Sequence, residues 1–206
     1  IFVIDPLYTL PFLVFLVLAM RHKRTTPKRR KLNALGLIVS SAYLALTLVL
    51  KGFSYKAFVE NLEEQGIAYE QISTRPTPFN TILWTANIDT KDAYLIGNYS
   101  FFDSQPIQFT SYPKNHELLG SLVTNDKVTR LIAITEGWYT ITKEEEGLFF
   151  NDLRFGPMSM NEKETKFAFT YKLDQNKMGL QVTETPKIPS DAKALFASLW
   201  GRILGN

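Results

Sequence analysis

Residues 21–31 read Arg-His-Lys-Arg-Thr-Thr-Pro-Lys-Arg-Arg-Lys, and seven of these eleven residues are Lys or Arg. This basic stretch separates two long apolar runs, residues 1–20 and 32–50. A bilayer core about 30 Å thick is crossed by roughly 20 helical residues, so both runs have the length of a membrane span. The pattern predicts two transmembrane helices joined by a short basic loop. The alternative is a buried core helix preceded by a buried strand at residues 1–4.

The charge of this loop also predicts the orientation of the chain. Short cytoplasmic loops of membrane proteins are rich in Lys and Arg. Residues 21–31 are therefore placed in the cytoplasm, and the chain after the second helix is placed on the outer face of the membrane. Runs of Lys and Arg can also bind a nucleic-acid backbone. Anionic lipid headgroups already account for these charges, so we expect the lipid bilayer as a partner and no nucleic acid.

Charge divides the chain into two regions. Residues 1–53 carry eight Lys or Arg and one acid, a net charge of +7, and form the predicted membrane anchor. Residues 54–206 carry fifteen Lys or Arg and nineteen acids, a net charge of −4, and are long enough for one compact extracytoplasmic domain. The sequence has no Cys, which excludes disulfides and thiolate chemistry. Because no basic segment precedes the apolar run at Ile1, we expect further membrane helices upstream, in a longer protein.

Local patterns in the second region predict a mixture of strands and helices. Helical spacing of apolar residues occurs at 53–65, 117–123, 127–135 and 191–204. The first of these helices is expected to continue from the second apolar run with a break at Gly52. Strands are predicted at 67–73, 81–88, 93–102, 107–112, 137–143, 147–154, 166–174 and 180–185. The predicted fold is two transmembrane helices followed by an α+β domain with a mostly antiparallel sheet.

Asp5 is the candidate site residue of the anchor. An Asp-Pro pair suits the start of a helix, because the carboxylate caps free amides and proline fits the first turn. A carboxylate near the membrane surface can instead belong to a polar site shared with other helices. Tyr8 and Thr9 would then lie near it, one turn further along. The sequence leaves both roles open, and in the second role Asp5 could also ligate a metal.

Arg154 is the candidate of the outer domain for binding an anionic substrate. The period of two in a strand places Asp152 and Arg154 on one face, where they could equally form a structural ion pair. The only histidines are His22 and His116, and the predicted topology separates them by the membrane. A hydrolytic zinc site takes about three protein ligands, so no metal is expected in this fragment alone.

Four strings of the sequence together resemble a known family. They are Ile-Asp-Pro-Leu-Tyr-Thr-Leu-Pro at 4–11, Pro-Thr-Pro-Phe-Asn-Thr-Ile-Leu-Trp at 76–84, Gly-Asn-Tyr-Ser-Phe-Phe-Asp at 97–103 and Asn-Asp-Leu-Arg-Phe-Gly at 151–156. In this order and spacing, they resemble the C-terminal half of the bacterial membrane-bound metal-dependent hydrolases, which are associated with the inner membrane. The resemblance covers nearly the whole chain.

The resemblance implies a divalent metal in the full-length protein. The family's metal motifs look like His-Arg-Gly-x-Ser/Thr-His-Ser and His-x-x-x-Asp, and neither occurs here, so they are expected upstream of Ile1. Only Asp5, with the residues that follow it, matches a family motif close to those helices. By analogy with zinc-dependent phospholipases C, zinc and the hydrolysis of phosphoesters are implied.

Two functions of different classes follow. The first is an integral-membrane metal-dependent hydrolase that acts on phosphoesters or lipid-linked substrates, packed with its own upstream membrane helices. In this reading the present fragment is inactive by itself. The second is a membrane-anchored extracytoplasmic sensor or protein-binding module without catalysis, which the scarcity of His and of clustered acids favours.

Overall fold

The chain begins with two antiparallel helices joined by the basic turn. The computed structural model describes residues 5–157, 167–176, 179–185 and 192–205, and residues 1–4 of the first apolar run lie outside them. Helix α1 is Pro6–Met20 and helix α2 is Pro27–Glu64. Each helix begins at a proline, where the missing amide proton removes no helical hydrogen bond.

Small residues of α2 form the face that packs against α1. Gly36, Ser40 and Thr47 are buried on one stripe of the helix. A side chain at Gly36 would place its Cβ 2.9 Å from the Cβ of Phe15 in α1, so the glycine permits the close approach of the two helices. The Ser40 hydroxyl donates to the Gly36 carbonyl at 2.8 Å and needs no external partner. This is the contact that small residues make between membrane helices.

The large apolar side chains of both helices point away from the protein. Only 17% of the most apolar window of α2 is buried, which is far from the burial of a soluble core helix. Among the described residues, α2 is the one helix long and apolar enough to cross a membrane. Helix α1 has fifteen residues and covers about 22 Å. One candidate span is therefore found where two were expected.

Helix α2 continues through Gly52 without interruption, so the predicted break at this residue is wrong. A glycine inside a helix costs roughly 1 kcal/mol. This cost is smaller than the loss of packing at the end of the same helix, where Phe58 and Leu62 are completely buried. The helix ends at Glu64, and Gly66, two residues further on, has a φ of +68°, the left-handed conformation of a glycine that follows a helix end.

Two four-stranded sheets follow, and every strand pairs antiparallel with its neighbour in sequence. Sheet 1 consists of β1 (Gln71–Pro76), β2 (Leu83–Asp89), β3 (Ala93–Ser100) and β4 (Phe109–Pro113). Sheet 2 consists of β5 (Tyr139–Glu144), β6 (Gly147–Pro157), β7 (Phe167–Asn176) and β8 (Gly179–Glu184). The predicted α+β fold with antiparallel strands is confirmed.

A helical insertion separates the two sheets. The sequence pattern had predicted a single sheet. A 3-10 segment, His116–Thr124, and helix α3, Asp126–Ile134, lie between β4 and β5. The Asn125 side chain caps α3 by accepting a hydrogen bond from the Lys127 amide at 3.0 Å. Because both helical segments pack on sheet 2, the chain starts a new sheet at β5.

Three clusters of apolar side chains define the layers of the domain. The end of α2 packs on sheet 1, the two sheets meet through a second cluster, and sheet 2 carries α3 on its far side. Trp84 and Ile88 belong to the first cluster, Leu153 to the second and Phe150 to the third. The last helix, α4, spans Ala192–Ile203 and joins sheet 1 where the Ser100 hydroxyl donates to the Ile203 carbonyl.

Candidate functional site

Asp5 lies at the start of α1 and is almost fully buried, with 1% of its surface exposed. Its Oδ1 atom accepts a hydrogen bond from the Leu7 amide at 3.0 Å. Its backbone carbonyl accepts another from the Thr9 amide at 2.9 Å. The capping role predicted from the Asp-Pro pair is therefore confirmed. These two hydrogen bonds are all that a helix cap requires, and a cap can form them while it is exposed to water. Capping therefore does not explain why Asp5 is buried.

Tyr43 of α2 binds the second carboxylate oxygen of Asp5. Its hydroxyl donates to Asp5 Oδ2 at 2.8 Å. The same hydroxyl oxygen lies 3.5 Å from Oγ1 of Thr81, which is buried in the loop between β1 and β2. The start of α1, the middle of α2 and a loop of the outer domain thus converge on one phenol oxygen. We call Asp5, Tyr43 and Thr81 the junction cluster.

Asn80 holds the loop of residues 77–82 in the shape that presents Thr81. Its Oδ1 accepts hydrogen bonds from the backbone amides two and three residues further along, at 2.9 and 2.7 Å. Its Nδ2 donates to the Thr77 hydroxyl at 2.8 Å. Asn80 and Thr77 are both buried. A side-chain amide that closes a loop in this way replaces the hydrogen bonds of regular structure, so the position of Thr81 is fixed by the domain.

The sequence pattern indicates Asp5 as a candidate but not its partners Tyr43 and Thr81. Of the neighbours it named, the Tyr8 ring lies 6.5 Å from the Tyr43 ring between centroids, whereas Thr9 offers only its amide. Tyr43 is the one tyrosine within the apolar run of residues 32–50, and this isolated phenol hydroxyl was the feature of the sequence that could have indicated it. Thr81 lies inside one of the strings that carry the family resemblance, but nothing local connects it with Asp5.

The junction cluster offers one carboxylate to a cation, but the described residues do not complete a metal site. A carboxylate offers about four lone-pair positions, and the two bonds above leave Asp5 with spare capacity. A hydrolytic zinc site takes about three protein ligands. Within the described ranges no group of three or more His, Asp or Glu residues could hold a metal. These residues therefore do not fit a metal on their own, and no reaction step through a metal is derived from them.

Arg154 lies in a different group of contacts, on β6. Its Nη2 atom lies 2.8 Å from Oδ2 of Asp152, and its Nε lies 3.2 Å from Oδ1. The Asp152 side chain is nearly buried. These hydrogen bonds, which Arg154 donates to Asp152, raise the pKa of Arg154. The predicted proximity of Asp152 and Arg154 is confirmed, and the two side chains form an ion pair. The binding of an anionic substrate by Arg154 stays a prediction.

Arg75 of β1 approaches the same ion pair from sheet 1. Its Nη2 donates to the Leu153 carbonyl at 3.4 Å, and Asn87 Nδ2 donates to the same carbonyl at 2.8 Å. Burial lowers the pKa of Arg75 to about 10, while the charge of Asp152 acts against this shift. Arg75 therefore remains charged at neutral pH. The hydrogen bonds from Arg75 and Asn87 to the Leu153 carbonyl tie the two sheets together.

The two histidines are both engaged away from the junction cluster. Nε2 of His116 lies 3.0 Å from the Tyr139 carbonyl, and its ring stacks on the Tyr139 ring with centroids 4.0 Å apart. The carbonyl of His22 accepts a hydrogen bond from Arg29 in the basic turn. Both contacts are structural, and neither histidine approaches Asp5 in the described contacts.

No family model, curated protein or solved structure matches this chain. The resemblance to membrane-bound hydrolases therefore rests on the four strings of sequence alone.

Proposed function

We propose that this chain is the C-terminal part of an integral-membrane metal-dependent hydrolase in the bacterial inner membrane. In this proposal α1 and α2 lie in the bilayer, and residues 54–206 lie on the outer face. The family resemblance supplies the reaction class, phosphoester hydrolysis on a lipid-linked or envelope substrate. The observation that supports a site in this chain is the burial of Asp5 between Tyr43 and the outer domain.

The position of Tyr43 along α2 supports a location of the junction cluster at membrane depth. From Leu32, which follows the basic turn, the helix rises about 17 Å to Tyr43 and about 12 Å more to Lys51. Together these distances match a hydrocarbon core of about 30 Å. Lys51 is the next charged residue after the basic turn. Tyr43 would therefore lie roughly 12 Å below the outer surface of the hydrocarbon.

The length of α1 gives the same depth independently. Its C-terminal end adjoins the basic turn, and its fifteen residues rise about 22 Å. Asp5, at the other end, would therefore lie roughly 8 Å short of the outer surface of the hydrocarbon. An ionisable residue at such a depth is expensive and marks a functional site more often than not.

The loop of residues 77–82 covers the cluster from the outer side. Irregular backbone at membrane depth is tolerated only where protein surrounds it or where it lines a water-filled cavity. The internal hydrogen bonds of Asn80 meet this requirement for the loop. In the proposed enzyme, Tyr43 orients the Asp5 carboxylate and the loop separates it from bulk water. Divalent metal, zinc by analogy, would be held by motifs upstream of Ile1, with Asp5 adjoining them.

Cysteine labelling tests the topology, because the chain contains no natural Cys. Thr25→Cys reports on the basic turn and Glu145→Cys on the exposed turn between β5 and β6. A membrane-impermeant maleimide added to intact cells should label Glu145→Cys and spare Thr25→Cys until the cells are lysed. Labelling of Thr25→Cys alone in intact cells would reverse the orientation and refute the proposal.

Metal analysis and activity of the full-length protein test the reaction class. We expect bound divalent metal in active preparations and loss of hydrolysis with Asp5→Asn. Tyr43→Phe keeps the carboxylate and removes one hydrogen bond, so its activity should fall less. If active protein holds no divalent ion and Asp5→Asn changes nothing, the hydrolase assignment is wrong.

A second candidate, a sensor or protein-binding module, is favoured by one observation. Both carboxylate oxygens of Asp5 already have a hydrogen-bond partner inside the chain, as a purely structural residue would. Crosslinking of the full-length protein in its membrane distinguishes the candidates. A saturable protein partner that binds equally with and without a chelator, together with no hydrolytic activity, would support the module.

A further inference from the structure

Helix α4 has apolar residues on two faces, and only one of them packs on the domain. Ile203 is buried and Leu199 is half-buried. Phe196, Trp200 and Leu204 follow one another at intervals of four residues and form a single stripe on the helix. This stripe is exposed, and Trp200 keeps 64% of its surface accessible. A tryptophan and a phenylalanine this exposed on one helix face require a partner.

Two further aromatic residues adjoin this stripe. The Phe79 ring, in the loop of residues 77–82, lies 5.6 Å from the Phe196 ring between centroids. Phe102 follows β3 and is exposed, and its carbonyl lies close to Gly205 just beyond α4. We call the exposed residues of these three segments the aromatic face; its members are Phe79, Phe102, Phe196, Trp200 and Leu204.

Strong polar contacts hold α4 in the position that presents this face. Arg202 donates to both carboxylate oxygens of Asp103, at 2.5 and 2.6 Å, and to the Asn98 carbonyl at 2.9 Å. The Ser100 hydroxyl donates to the Ile203 carbonyl at 2.5 Å. A bidentate Arg–carboxylate pair fixes orientation as well as distance. The exposure of Trp200 is therefore imposed by the fold.

The aromatic face is continuous with the part of the domain that touches the membrane helix. Phe79 is two residues from Thr81, so their Cα atoms are at most about 7 Å apart. Thr81 in turn lies against Tyr43 of α2. The segment that carries Phe102 is joined to the same loop, because the Phe101 amide donates to the Ile82 carbonyl at 3.3 Å.

We propose that the aromatic face is a second membrane contact, which lies in the outer interface of the bilayer. The inference rests on the proposed embedding of α2, since Tyr43 then lies roughly 12 Å below the hydrocarbon surface. The neighbouring loop and α4 then fall at the level of the membrane interface, where Trp is enriched and where interfacial helices bury Trp, Phe and Leu side chains.

This contact would hold the outer domain down against the bilayer. The domain would then be attached at two points, through α2 and through α4, and the loop over Asp5 lies between them. The aromatic face would thus keep residues 77–82 over the junction cluster while a lipid-linked substrate enters from the side. A water-exposed stripe of this composition would otherwise favour aggregation.

Site-directed spin labelling tests the contact in the full chain reconstituted into vesicles with one quarter anionic lipid. The test variant is Trp200→Cys. Leu48→Cys, on the outward face of α2, is the lipid control, and Glu145→Cys is the water control. We expect the ratio of oxygen to nickel-complex accessibility at Trp200→Cys to rise several-fold above that at Glu145→Cys, towards that at Leu48→Cys.

The three positions separate this inference from the proposed function. A lipid-like ratio at Leu48→Cys with a water-like ratio at Trp200→Cys overturns the contact and leaves the anchor intact. A label at Trp200→Cys that is immobilised and inaccessible to both reagents also overturns it, because protein then covers the face. A water-like ratio at Leu48→Cys refutes the membrane embedding itself.

A paired substitution provides a second readout if cysteine at Trp200 disturbs folding. Phe196→Ser and Trp200→Ser together should leave the ion pair of Arg202 intact, since neither residue takes part in it. We expect proteolysis of the reconstituted protein near α4 to accelerate several-fold, with unchanged insertion of α2. Equal proteolysis rates for the substituted and original proteins in vesicles would contradict the contact.

Discussion

The helix pair and the two-sheet domain bury opposite kinds of residue. Where α1 meets α2, the buried residues are Gly36, Ser40 and Thr47, and the leucines and valines point outward. In the sheets, Trp84 and Phe150 are fully buried. The domain is stabilised by removing apolar surface from water, whereas the helices are joined by close approach and hydrogen bonds. The two regions of the chain are therefore stabilised by different kinds of contact.

We expect the largest difference in stability between two substitutions to alanine, one at a buried and one at an outward-facing apolar residue. Phe150→Ala removes a completely buried ring in sheet 2 and should lower the free energy of unfolding by about 3–5 kcal/mol. Leu48→Ala, at a side chain with 71% exposure, should change it by less than about 1 kcal/mol. Reversible unfolding in detergent micelles measures both. Equal losses would mean that Leu48 packs in a core and that the contrast is wrong.

A charge on the outward face of α2 should prevent insertion. Ile38 is exposed and lies well inside the apolar run. Arginine near the middle of a membrane helix costs about 2.5–3.5 kcal/mol on the insertion scale, so Ile38→Arg should greatly reduce the membrane-inserted fraction. Thr183→Arg, on the exposed surface of β8, serves as the matched control and should insert normally. Membrane fractionation with alkaline extraction reports the fraction, and normal insertion of Ile38→Arg would show that α2 does not face lipid.

Substitution of two glycines of α2 by alanine should change the stability of the protein in opposite directions. Gly36→Ala places a Cβ 2.9 Å from Phe15 Cβ, and overpacking of this kind costs about 1–3 kcal/mol. Gly52→Ala meets nothing within 4 Å and should gain about 0.5–1 kcal/mol from helix propensity. Thermal unfolding of the two variants in one detergent measures the difference. A stabilised Gly36→Ala would show that α1 and α2 do not pack as described.

The domain should lose stability in alkali through its buried tyrosines. Burial raises the pKa of Tyr94, Tyr112 and Tyr139 above the ordinary value. Their contribution is complete below about pH 10, the pKa of an unfolded tyrosine, and is lost as the pH rises towards the folded-state values. Arg75, whose pKa burial lowers to about 10, acts in the opposite direction over the same window. Tyr99 and Tyr171 also have raised pKa values, so five tyrosines of the domain oppose one arginine and the net effect is a fall in stability.

Tyr94→Phe tests this loss and has the smallest effect at neutral pH. The Tyr94 hydroxyl donates to the Gly137 carbonyl at 2.8 Å, and its removal should cost about 1 kcal/mol at pH 7. The substitution should also make the decline of stability above about pH 10 less steep. Tyr55→Phe, at an exposed tyrosine, is the control. An unchanged alkaline decline in Tyr94→Phe would show that this residue does not contribute to it.

Local sequence predicted those elements whose causes are local. The strands predicted at 81–88 and 93–102 pair as β2 and β3, and those predicted at 137–143 and 147–154 pair as β5 and β6. The period of two correctly placed Asp152 beside Arg154. The split into two sheets was not predictable in this way, because it depends on where α3 packs. The bond between Asp5 and Tyr43 joins residues 38 apart in sequence.

The unbroken course of α2 has a mechanical consequence. Its 38 residues form one rod of about 57 Å that begins in the basic turn and ends against sheet 1. A span in a thinner or thicker bilayer adjusts by tilting. Because no hinge separates the two ends of this rod, any such tilt must swing the whole outer domain with it. Lipid thickness would then set how closely the domain leans over the bilayer.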